Sequence, residues 1–561
     1  MATTVDEPSL YAAAQAWRDD DPDAVTRSEL DLLVEAARGG DHAALRDLAD
    51  RFSGMLEFGT AGLRGALGAG PNRMNRSVVI RAAAGLTAFL QAEGGAGPAP
   101  TVVVGFDARH NSDVFARDTA AVVVAAGGRA FVLPEPLPTP VLAYAIRHLG
   151  ADAGVMVTAS HNPPRDNGYK VYLGDGSQIV PPSDGLIAAH IDRVDRVADV
   201  TRAADGWETL GPGLLDDYLD AVVTVLDPTS ARDLSIVHTS LHGVGHATVR
   251  EAFVRAGFAA PDAVGEQARP DPEFPTVAFP NPEEKGAIDL ALARAREVGC
   301  DLVIANDPDA DRCAAAVLDP AVGGWRMLRG DEVGALLGAH VVVRGVAPTD
   351  VFANSIVSSR LLASIAAAAG IRHEETLTGF KWISRVEGLR YGYEEALGYC
   401  VAPGLVRDKD GVSAALLLAE LAAGLKAQGR TLVDLLDDLA VAHGVHATDS
   451  FSVRVSDLAQ IDPLMQRLRT DAPATVAGLD VTRIDDLSRG DGGLPPTEGL
   501  RWFLADDSRV IVRPSGTEPK VKVYLEVIEP VAGPDHLVTA RAEADRRLSA
   551  IRAELERLTA L

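Results

Sequence analysis

Short apolar runs and longer amphipathic segments alternate along most of the chain. One series starts at SVVIRAAAGLTAFLQ and continues through TVVVGFD, FARDTAAVVVAAG and RAFVLPE, and similar series begin near residues 234 and 350. In each series a helix-like segment follows a strand-like one within a short loop. From about residue 78 to 440, this rhythm predicts repeated βα units on mostly parallel sheets.

The pattern changes after about residue 446. SFSVRV at 450–455 and KVKVYLEVI at 520–528 alternate apolar and polar residues, which predicts a half-exposed antiparallel sheet with a closing helix over 540–558. Polar or Pro- and Gly-rich stretches at 204–213 and 318–332 mark two earlier boundaries. The sequence therefore predicts four domains, at 1–208, 209–322, 323–445 and 446–561.

Length, charge and cysteine usage narrow the class of protein. A chain of 561 residues exceeds one compact core, and its net charge of −26 argues against a nucleic acid or an anionic membrane as partner. The three cysteines form no CxxC pair, which points away from a disulfide framework or a structural zinc site. With no signal peptide or membrane span expected either, the sequence predicts a cytoplasmic protein.

Ser160 lies in the hexapeptide TASHNP at 158–163, directly after the apolar run AGVMV at 153–157. The run is short and β-branched enough to be a buried strand, and Asn162 with the two prolines after it prevents an immediate helix. Ser160 is therefore predicted at the carboxyl end of a strand, the edge where ligands bind in open α/β sheets. Its hydroxyl could carry a phosphate there, although an ordinary turn fits the hexapeptide equally well.

The segment DPDADR at 307–312 follows the apolar strand DLVIA and places three carboxylates in one tight loop: Asp307, Asp309 and Asp311. Such carboxylates repel one another and need a cation. A calcium loop of the EF-hand type is excluded, because Arg312 stands where glycine is required and Leu318 where glutamate is required. Mg²⁺ is the better interpretation, and a phosphate on Ser160 could complete its ligands.

Two further segments could bind a phosphorylated sugar. RPSGTEPK at 513–520 offers an arginine fork, hydroxyls and backbone amides for a phosphate, although a hairpin turn has similar composition. GYEEALGY at 392–399 places Glu394 and Glu395 where they could accept hydrogen bonds from sugar hydroxyls, although a solvated loop would look the same.

Together, in this order and spacing, the four segments resemble the α-D-phosphohexomutase family, which includes the phosphoglucomutases and phosphomannomutases. FGTAGLRG at 58–65, NGYK at 167–170, TGFKWI at 378–383 and RDKDG at 407–411 add to a match that covers nearly the whole chain. The resemblance implies an α/β fold with three related mixed α/β domains and a smaller α+β C-terminal domain around a central cleft.

The resemblance also implies roles for individual residues. Ser160 would donate and accept the phosphoryl group, and its phosphate would bind Mg²⁺ together with the three aspartates. The transferring group would be surrounded by Arg64, His161, Lys170 and Arg312. The non-reacting phosphate would be bound by Arg513, Ser515, Gly516 and Thr517, and the sugar by Gly379, Lys381, Glu394 and Glu395.

The implied activity interconverts a hexose 1-phosphate and a hexose 6-phosphate through a bisphosphate intermediate that turns around, with glucose favoured and mannose as an alternative. A sugar bisphosphate such as glucose 1,6-bisphosphate would be the activator. Lys170 is expected to act as general base and acid, because a lysine among cations has a lowered pKa. The partner is a phosphosugar substrate; the sequence leaves oligomeric state open.

Two positions depart from the family pattern. Ala396 follows the paired glutamates where many phosphoglucomutases carry serine, and Tyr399 stands where bacterial relatives often carry histidine. The YEEALGY form resembles a subgroup that also acts on ribose and deoxyribose phosphates. Phosphopentomutase activity and sugar-bisphosphate synthesis therefore stay open, as do slow phosphatase activity and a catalytically silent sensor.

Overall fold

The computed structural model describes residues 6–57, 62–95, 97, 99–455, 458–490, 493–515 and 520–560. The chain divides into two compact units. Unit 1 comprises Met1–Pro228, Leu234–Ala314 and Ala402–Leu416; unit 2 comprises Thr229–Asp233, Ala315–Val401 and Leu417–Leu561. Within the described ranges, every helix is too short or too polar to cross a membrane.

Unit 1 begins with three helices that the sequence patterns above did not predict, α1 (Glu7–Asp20), α2 (Ala24–Arg38) and α3 (His42–Arg51). Asp23 and Asp41 cap α2 and α3 by accepting hydrogen bonds from backbone amides of their first turns. The helices share a small apolar core that includes Leu30 and Leu48.

A six-stranded sheet follows in unit 1. Its strands lie in the order β1-β5-β4-β2-β3-β6. Strands β4, β2, β3 and β6 pair in parallel, and at one edge β5 pairs antiparallel with both β4 and β1. The central strand β4 is buried throughout, which explains its unbroken apolar sequence. The elements are β1 (Leu63–Ala66), α4 (Arg76–Gly94), β2 (Thr101–Phe106), α5 (Ser112–Ala125), β3 (Arg129–Val132), α6 (Thr139–His148), β4 (Ala153–Val157), β5 (Asp166–Leu173), α7 (Ser183–Ile191) and β6 (Glu208–Thr209).

The second α/β segment of unit 1 contains three parallel strands, in which β7 pairs with β8 on one side and β9 on the other. The strand β9 is fully buried and leads directly into the three aspartates. The elements of this segment are α8 (Gly213–Val222), β7 (Ile236–Thr239), α9 (Gly245–Arg255), β8 (Asp262–Ala263), α10 (Asp289–Val298) and β9 (Leu302–Ala305).

Unit 2 contains an antiparallel hairpin and a four-stranded mixed sheet. In that sheet β12 pairs in parallel with β13 and β14, and β15 pairs antiparallel with β14. The elements, through the helix that begins in the last segment of unit 1, are β10 (Ala314–Asp319), β11 (Gly324–Met327), α11 (Gly330–Arg344), β12 (Val351–Ser355), α12 (Leu361–Ala368), β13 (Arg372–Thr376), α13 (Phe380–Ile383), β14 (Leu389–Glu394), β15 (Gly398–Cys400), α14 (Gly411–Lys426) and α15 (Leu432–His443).

The C-terminal part of unit 2 is an antiparallel sheet in the order β16-β21-β20-β19-β18-β17. One face of the final helix packs on it, because Ala540, Ala544, Leu548, Ile551 and Leu555 recur every three or four residues and are all buried. The elements are β16 (Val445–Arg454), α16 (Ile461–Thr470), β17 (Thr475–Val476), β18 (Leu479–Asp486), β19 (Leu500–Leu504), β20 (Arg509–Pro514), β21 (Lys520–Glu529) and α17 (Leu537–Leu558).

These elements confirm the predicted fold class and the change to an antiparallel sheet in the C-terminal part. The closing helix begins at Leu537, slightly before the predicted start at 540. The four domain boundaries proposed from the sequence stay predictions.

Candidate active site

Ser160 lies on the turn directly after β4 and is 2% exposed. Its backbone adopts φ 51°, a left-handed conformation that a residue with a side chain keeps only where its surroundings hold it. Part of that support is local, because the Ser160 amide donates to Thr158 Oγ1 at 2.9 Å. The predicted position at the carboxyl end of a strand is confirmed.

Arg109 stabilises this turn by hydrogen bonds to its backbone. Its guanidinium donates to the carbonyl oxygens of Ser160 and Asn162, both at 2.6 Å, and of Pro163 at 2.8 Å and Asp166 at 3.1 Å. One planar side chain therefore fixes four backbone positions around the serine, which an ammonium group could not do with the same geometry.

Arg109 is itself almost fully buried, and two neighbours compensate its charge. Asp107 Oδ2 lies 3.3 Å from Arg109 Nε, and the guanidinium carbon lies 4.9 Å from the centre of the Phe274 ring. Burial lowers the pKa of Arg109, and the Asp107 carboxylate opposes that shift. An ion pair and a cation–π contact thus support the arginine beneath the serine turn.

The three aspartates after β9 form a buried cluster: Asp307, Asp309 and Asp311. Each can offer one oxygen such that all three oxygens lie within 4.8 Å of one another, and Ser160 Oγ donates to Asp307 Oδ2 at 2.7 Å. Within the described parts of the chain, Oδ1 of Asp309 and Oδ1 of Asp311 are buried without a hydrogen-bond partner. Unpartnered buried carboxylate oxygens fit a hard divalent cation, so this triad is able to bind a metal ion.

Burial and neighbouring charges also shift the pKa values of Asp307 and Asp309. Burial, followed by repulsion from Asp309 and Asp311, raises the pKa of Asp307 well above its usual range. Burial also raises the pKa of Asp309, but the Lys170 ammonium and the hydrogen bonds to this carboxylate outweigh burial and leave its pKa low. The cluster therefore needs positive charge close by.

Two buried lysines supply part of that charge. Lys170 Nζ on β5 lies 2.7 Å from Asp309 Oδ2 and 2.9 Å from Asp311 Oδ2, and Lys409 Nζ lies 3.3 Å from Asp311 Oδ2. Burial lowers the pKa of Lys170, but the two carboxylates outweigh burial and the repulsion from Lys409, and the pKa is raised. The expectation that cations lower the pKa of Lys170 is wrong, because carboxylates dominate its surroundings.

The remaining predicted residues of this site lie around the serine. His161 Nδ1 is 3.1 Å from Ser160 Oγ, and Arg64 on β1 donates to Asn162 Oδ1 at 3.1 Å. Arg312 Nε lies 3.8 Å from Asp307 Oδ2. Burial, followed by the charges of Arg312 and Arg64, holds the pKa of His161 well below its usual range, so the ring is neutral near pH 7. Unit 1 thus brings together the predicted serine, metal ligands and cations.

Unit 2 contains the paired glutamates at the end of β14. Glu394 is the last residue of that strand, and both glutamates are half-buried. Glu395 Oε2 accepts hydrogen bonds from Ser355 Oγ and Ser358 Oγ, each at 3.0 Å. One oxygen of the Glu395 carboxylate is therefore already held by two serine hydroxyls.

Close packing beneath this loop leaves little room for movement. A Cβ added to Gly330 at the start of α11 would lie 1.8 Å from the carbonyl oxygen of Glu395. Tyr393 Oη donates to Asp331 Oδ1 at 2.9 Å, and Tyr399 Oη donates to the Gly330 carbonyl at 3.1 Å. The first turn of α11 thus fixes the backbone that carries the glutamates.

The other residues predicted to contact the sugar lie on the segment around α13. Gly379 precedes the helix with φ 106°, a conformation that favours glycine. Lys381 is 7% exposed, and its Nζ lies 5.8 Å from the centre of the Trp382 ring. Lys381 is thus mostly buried in this structure. The sugar contacts of Gly379 and Lys381 stay predictions.

The predicted phosphate loop follows β20. Arg513 and Ser515 are half-buried, Arg513 pairs across the sheet with Lys522, and the Ser515 amide donates to the Lys520 carbonyl at 2.8 Å. Gly516 and Thr517 lie outside the described residues. The strands β20 and β21 on either side of this segment pair antiparallel, and its binding of a phosphate stays a prediction.

Sequence reasoning assigned no role to several residues that shape these sites: Arg109, Thr139, Ser355, Ser358 and Lys409. Thr139 Oγ1 donates to Asp309 Oδ2 at 2.7 Å. Lys409 belongs to the RDKDG segment, whose resemblance to the family is a local signal. The others carry no signal in one sequence, because serine, threonine and arginine are common and only the fold shows their partners.

The fold is that of a phosphoryl-transfer enzyme. Four family models match in chain order: Phosphoglucomutase/phosphomannomutase alpha/beta/alpha domains I, II and III at 55–198, 216–320 and 329–442, and the C-terminal domain at 453–532. The chain belongs to this family, the α-D-phosphohexomutases, and is an intramolecular phosphotransferase.

Individual relatives agree with this assignment. A Haemophilus influenzae protein named "Probable phosphomannomutase" is 47% identical over 81% of this chain and 93% of its own. The phosphopentomutase of Mus musculus is 35% identical over 95% of this chain and 93% of its own. A crystal structure of a phosphoglucomutase/phosphomannomutase family protein from Burkholderia thailandensis superposes with a TM-score of 0.67, covering 89% of this chain and 97% of that one at 20% identity, and shows the shared fold.

Proposed function

We propose that this enzyme interconverts hexose 1-phosphate and hexose 6-phosphate through a phosphorylated Ser160, with glucose favoured and mannose as an alternative. One observation carries the proposal. Ser160 Oγ is buried at hydrogen-bond distance from a carboxylate of the aspartate cluster and beside a neutral histidine and two arginines. The arginines beside this serine suit a phosphate, and the carboxylates suit a cation that would neutralise its charge during transfer.

In the forward step the phosphoryl group leaves Ser160 Oγ and bonds to the free hydroxyl of a sugar monophosphate. The P–O bond to the serine breaks, the new P–O bond gives a sugar bisphosphate, and the proton of the sugar hydroxyl returns to Ser160 Oγ through the site. After the bisphosphate turns around, the P–O bond between its original phosphate and the sugar breaks, a P–O bond to Ser160 Oγ forms, and the Ser160 proton passes to the sugar oxygen. The net reaction exchanges the phosphate position and restores the phosphoserine.

The aspartate cluster is proposed to hold Mg²⁺ through one oxygen each of Asp307, Asp309 and Asp311, with the Ser160 phosphate as a further ligand. When bound, the ion neutralises the charge that develops on the transferring phosphoryl group. The chain's own part is to keep three carboxylates in one buried loop, and Lys170 and Lys409 limit their mutual repulsion. A sugar bisphosphate such as glucose 1,6-bisphosphate is proposed as the activator that phosphorylates Ser160.

Proton transfer needs a group near Ser160 Oγ. His161 Nδ1 is 3.1 Å away and neutral, so it can exchange a proton with the serine. Lys170 is held as an ammonium by two carboxylates, which makes it a donor and a charge-compensating group in the resting enzyme. Its role as general base stays a prediction, which turnover of a Lys170→Ala variant tests.

The residues of unit 2 are proposed to recognise the rest of the substrate. Glu394 and Glu395 would accept hydrogen bonds from sugar hydroxyls, with Gly379 and Lys381 nearby, and the loop from Arg513 through Ser515, Gly516 and Thr517 would bind the non-reacting phosphate. Half-buried carboxylates and an arginine at the end of a strand are suited to these tasks.

The decisive experiment measures kcat/KM side by side for glucose, mannose, glucosamine and ribose 1-phosphates, with Mg²⁺ and the matching bisphosphates. The proposal expects conversion to the isomeric phosphate and a labelled phosphate on Ser160 after incubation with labelled bisphosphate. Product analysis separates a mutase from a bisphosphate synthase or a phosphatase. Absence of both turnover and label on Ser160 would remove the proposal.

A second candidate function is phosphopentomutase activity. Ala396 offers no hydroxyl at the position where many phosphoglucomutases carry serine, so one hexose contact is absent or made differently. The mouse relative that aligns with nearly the whole chain carries that name. A higher kcat/KM for ribose 1-phosphate than for glucose 1-phosphate would favour this candidate.

A further inference from the structure

The Glu395 carboxylate is oriented by a turn at residues 356–360 that follows β12. Ser355 at the end of the strand and Ser358 within the turn both donate to Glu395 Oε2 at 3.0 Å. The Glu395 amide in turn donates to Ser358 Oγ at 3.1 Å. Ser358 therefore contacts both the backbone and the side chain of Glu395, and displacement of the turn would move the carboxylate.

The same turn is held on its other side by Glu526 and Arg509 of the C-terminal sheet. Arg509 Nη2 donates to the Ser358 carbonyl at 2.5 Å. Glu526 accepts hydrogen bonds from Ser359 Oγ at 2.9 Å and from the amide of Arg360 at 2.8 Å. Three consecutive residues of the turn are thus tied to two side chains that lie far along the chain.

Glu526 and Arg509 stand directly opposite each other on β21 and β20, with Arg509 Nη2 3.1 Å from Glu526 Oε2. Both side chains are 2% exposed. Burial raises the pKa of Glu526, but the charge of Arg509, the hydrogen bond from His446 and the charge of Arg360 outweigh burial and hold it low. Desolvation largely offsets the attraction in a buried ion pair, so this pair is better explained by the geometry it imposes than by added stability.

We infer that Glu526 and Arg509 are positioning residues that act through Ser358 to orient Glu395 for sugar hydroxyls. This inference rests on the proposed function, because it assigns Glu395 to the sugar. Loss of the Glu526 charge would loosen the turn and raise KM for sugar phosphates. It would leave the phosphoserine chemistry unchanged, since Ser160 and its partners belong to unit 1.

The test is a double-mutant cycle with Glu526→Gln, Ser358→Ala and the double variant. Each single variant is expected to raise KM by about tenfold, the size of one lost hydrogen bond to a charged group, with a much smaller change in kcat. Because both changes act on one path, the double variant should resemble Ser358→Ala instead of showing the product of the two effects. Independent, multiplicative effects would overturn the inference.

Two further measurements separate positioning from a general structural defect. The rate at which labelled phosphate is lost from Ser160 to water should match wild type in all three variants, whereas damage to the whole enzyme would change it. Glu543→Gln removes a half-exposed carboxylate that pairs with Arg546 and Arg547 on α17, and should keep wild-type kinetics.

The outcomes also distinguish the positioning role from the proposed function. A wild-type enzyme without mutase turnover would contradict the proposed function. An active wild type with unchanged KM in Ser358→Ala would contradict only the positioning role. Should Glu526→Gln fail to fold, Arg509→Lys takes its place in the cycle, because it keeps the charge but loses the planar group that donates to the Ser358 carbonyl.

Discussion

Ser160 Oγ donates a 2.7 Å hydrogen bond to Asp307 Oδ2, which joins two residues 147 positions apart in the sequence. The contact places a hydroxyl at the edge of the aspartate cluster. A phosphate on that hydroxyl would be within reach of a cation held by the cluster, so phosphoryl transfer and metal binding belong to one site in this proposal.

The first prediction concerns the serine itself. Ser160→Ala removes the only atom of this side chain that can carry a phosphate, so mutase turnover should fall by several orders of magnitude and labelled bisphosphate should leave no label on the protein. Ser28→Ala, at an exposed position on α2, is the matched control. Near-normal turnover of the Ser160 variant with activator present would contradict the mechanism.

The second prediction concerns the metal. Asp309→Asn removes one charge from the cluster, so the Mg²⁺ concentration for half-maximal activity should rise by more than about tenfold, the effect typical of losing even an outer partner of a metal ligand. Calorimetric titration with Mn²⁺ gives a readout independent of activity. Asp262→Asn, which breaks a surface pair with Arg294, should bind as wild type does, and equal affinities of all three proteins would refute the assignment.

The third prediction tests the arginine beneath the serine turn. Arg109→Lys keeps the charge but loses the planar fork that serves four carbonyl groups, so kcat and the rate of Ser160 phosphorylation should fall together. Stopped-flow or quench measurements of labelled phosphate on Ser160 give that rate. Arg129→Lys, exposed at the start of β3, serves as control. An Arg109→Lys enzyme with wild-type phosphorylation kinetics would show that the serine turn does not depend on the Arg109 hydrogen bonds.

The fourth prediction concerns the close contact under the glutamates. Gly330→Ala puts a Cβ 1.8 Å from the Glu395 carbonyl oxygen, so the loop must shift, at a cost of about 1–3 kcal/mol in stability. KM for the sugar phosphate should rise while Ser160 still accepts phosphate. Gly424→Ala has open space around the new methyl group and lies within α14, so it should be neutral or stabilising. Equal KM values for the two variants would contradict the prediction that the position of the Glu395 loop affects sugar-phosphate binding.

The fifth prediction concerns pH. Burial lowers the pKa of His238 to about 4, and its Nε2 lies 2.8 Å from Asn306 Oδ1, next to the aspartate loop. Because the unfolded state binds a proton near pH 6.5 and the folded state does not, stability is lost as pH falls from about 6.5 towards 4, by about 3 kcal/mol for this group.

Carbon-13 NMR of labelled histidines tests this directly, since the His238 signal should not titrate above about pH 5 if its pKa is as low as burial makes it. The thermal midpoint should also fall more steeply with acid in wild type than in His238→Gln. A titration midpoint near 6.5 would contradict the prediction.

The local signals in the sequence were sufficient for much of the fold. The unbroken apolar run at 153–157 became β4 because both faces of a central strand are covered, and the alternation at 520–528 became β21 because an antiparallel strand faces the core on one side. The three helices over 7–51 were not predicted, because the alternation of apolar and amphipathic segments begins only at about residue 78.

The candidate site was predicted only in part, because a local motif shows which residues are present but not their distant neighbours. Three aspartates close together are visible within one short segment. The environment of Lys170, by contrast, depends on Asp309 and Asp311, which lie 139 and 141 positions later in the sequence. Its expected pKa was wrong because the sequence shows that a lysine is present but not which charges surround it.

By itself the sequence determined which segments carry the serine, the aspartates, the paired glutamates and the arginine loop, because each is a short motif next to a strand signal. The tertiary structure alone decided their partners: Arg109 beneath the serine turn, the two lysines on the aspartates, and Glu526 behind the turn that holds Glu395. Those contacts join residues from distant parts of the chain, and their energies depend on burial and geometry that no local pattern contains.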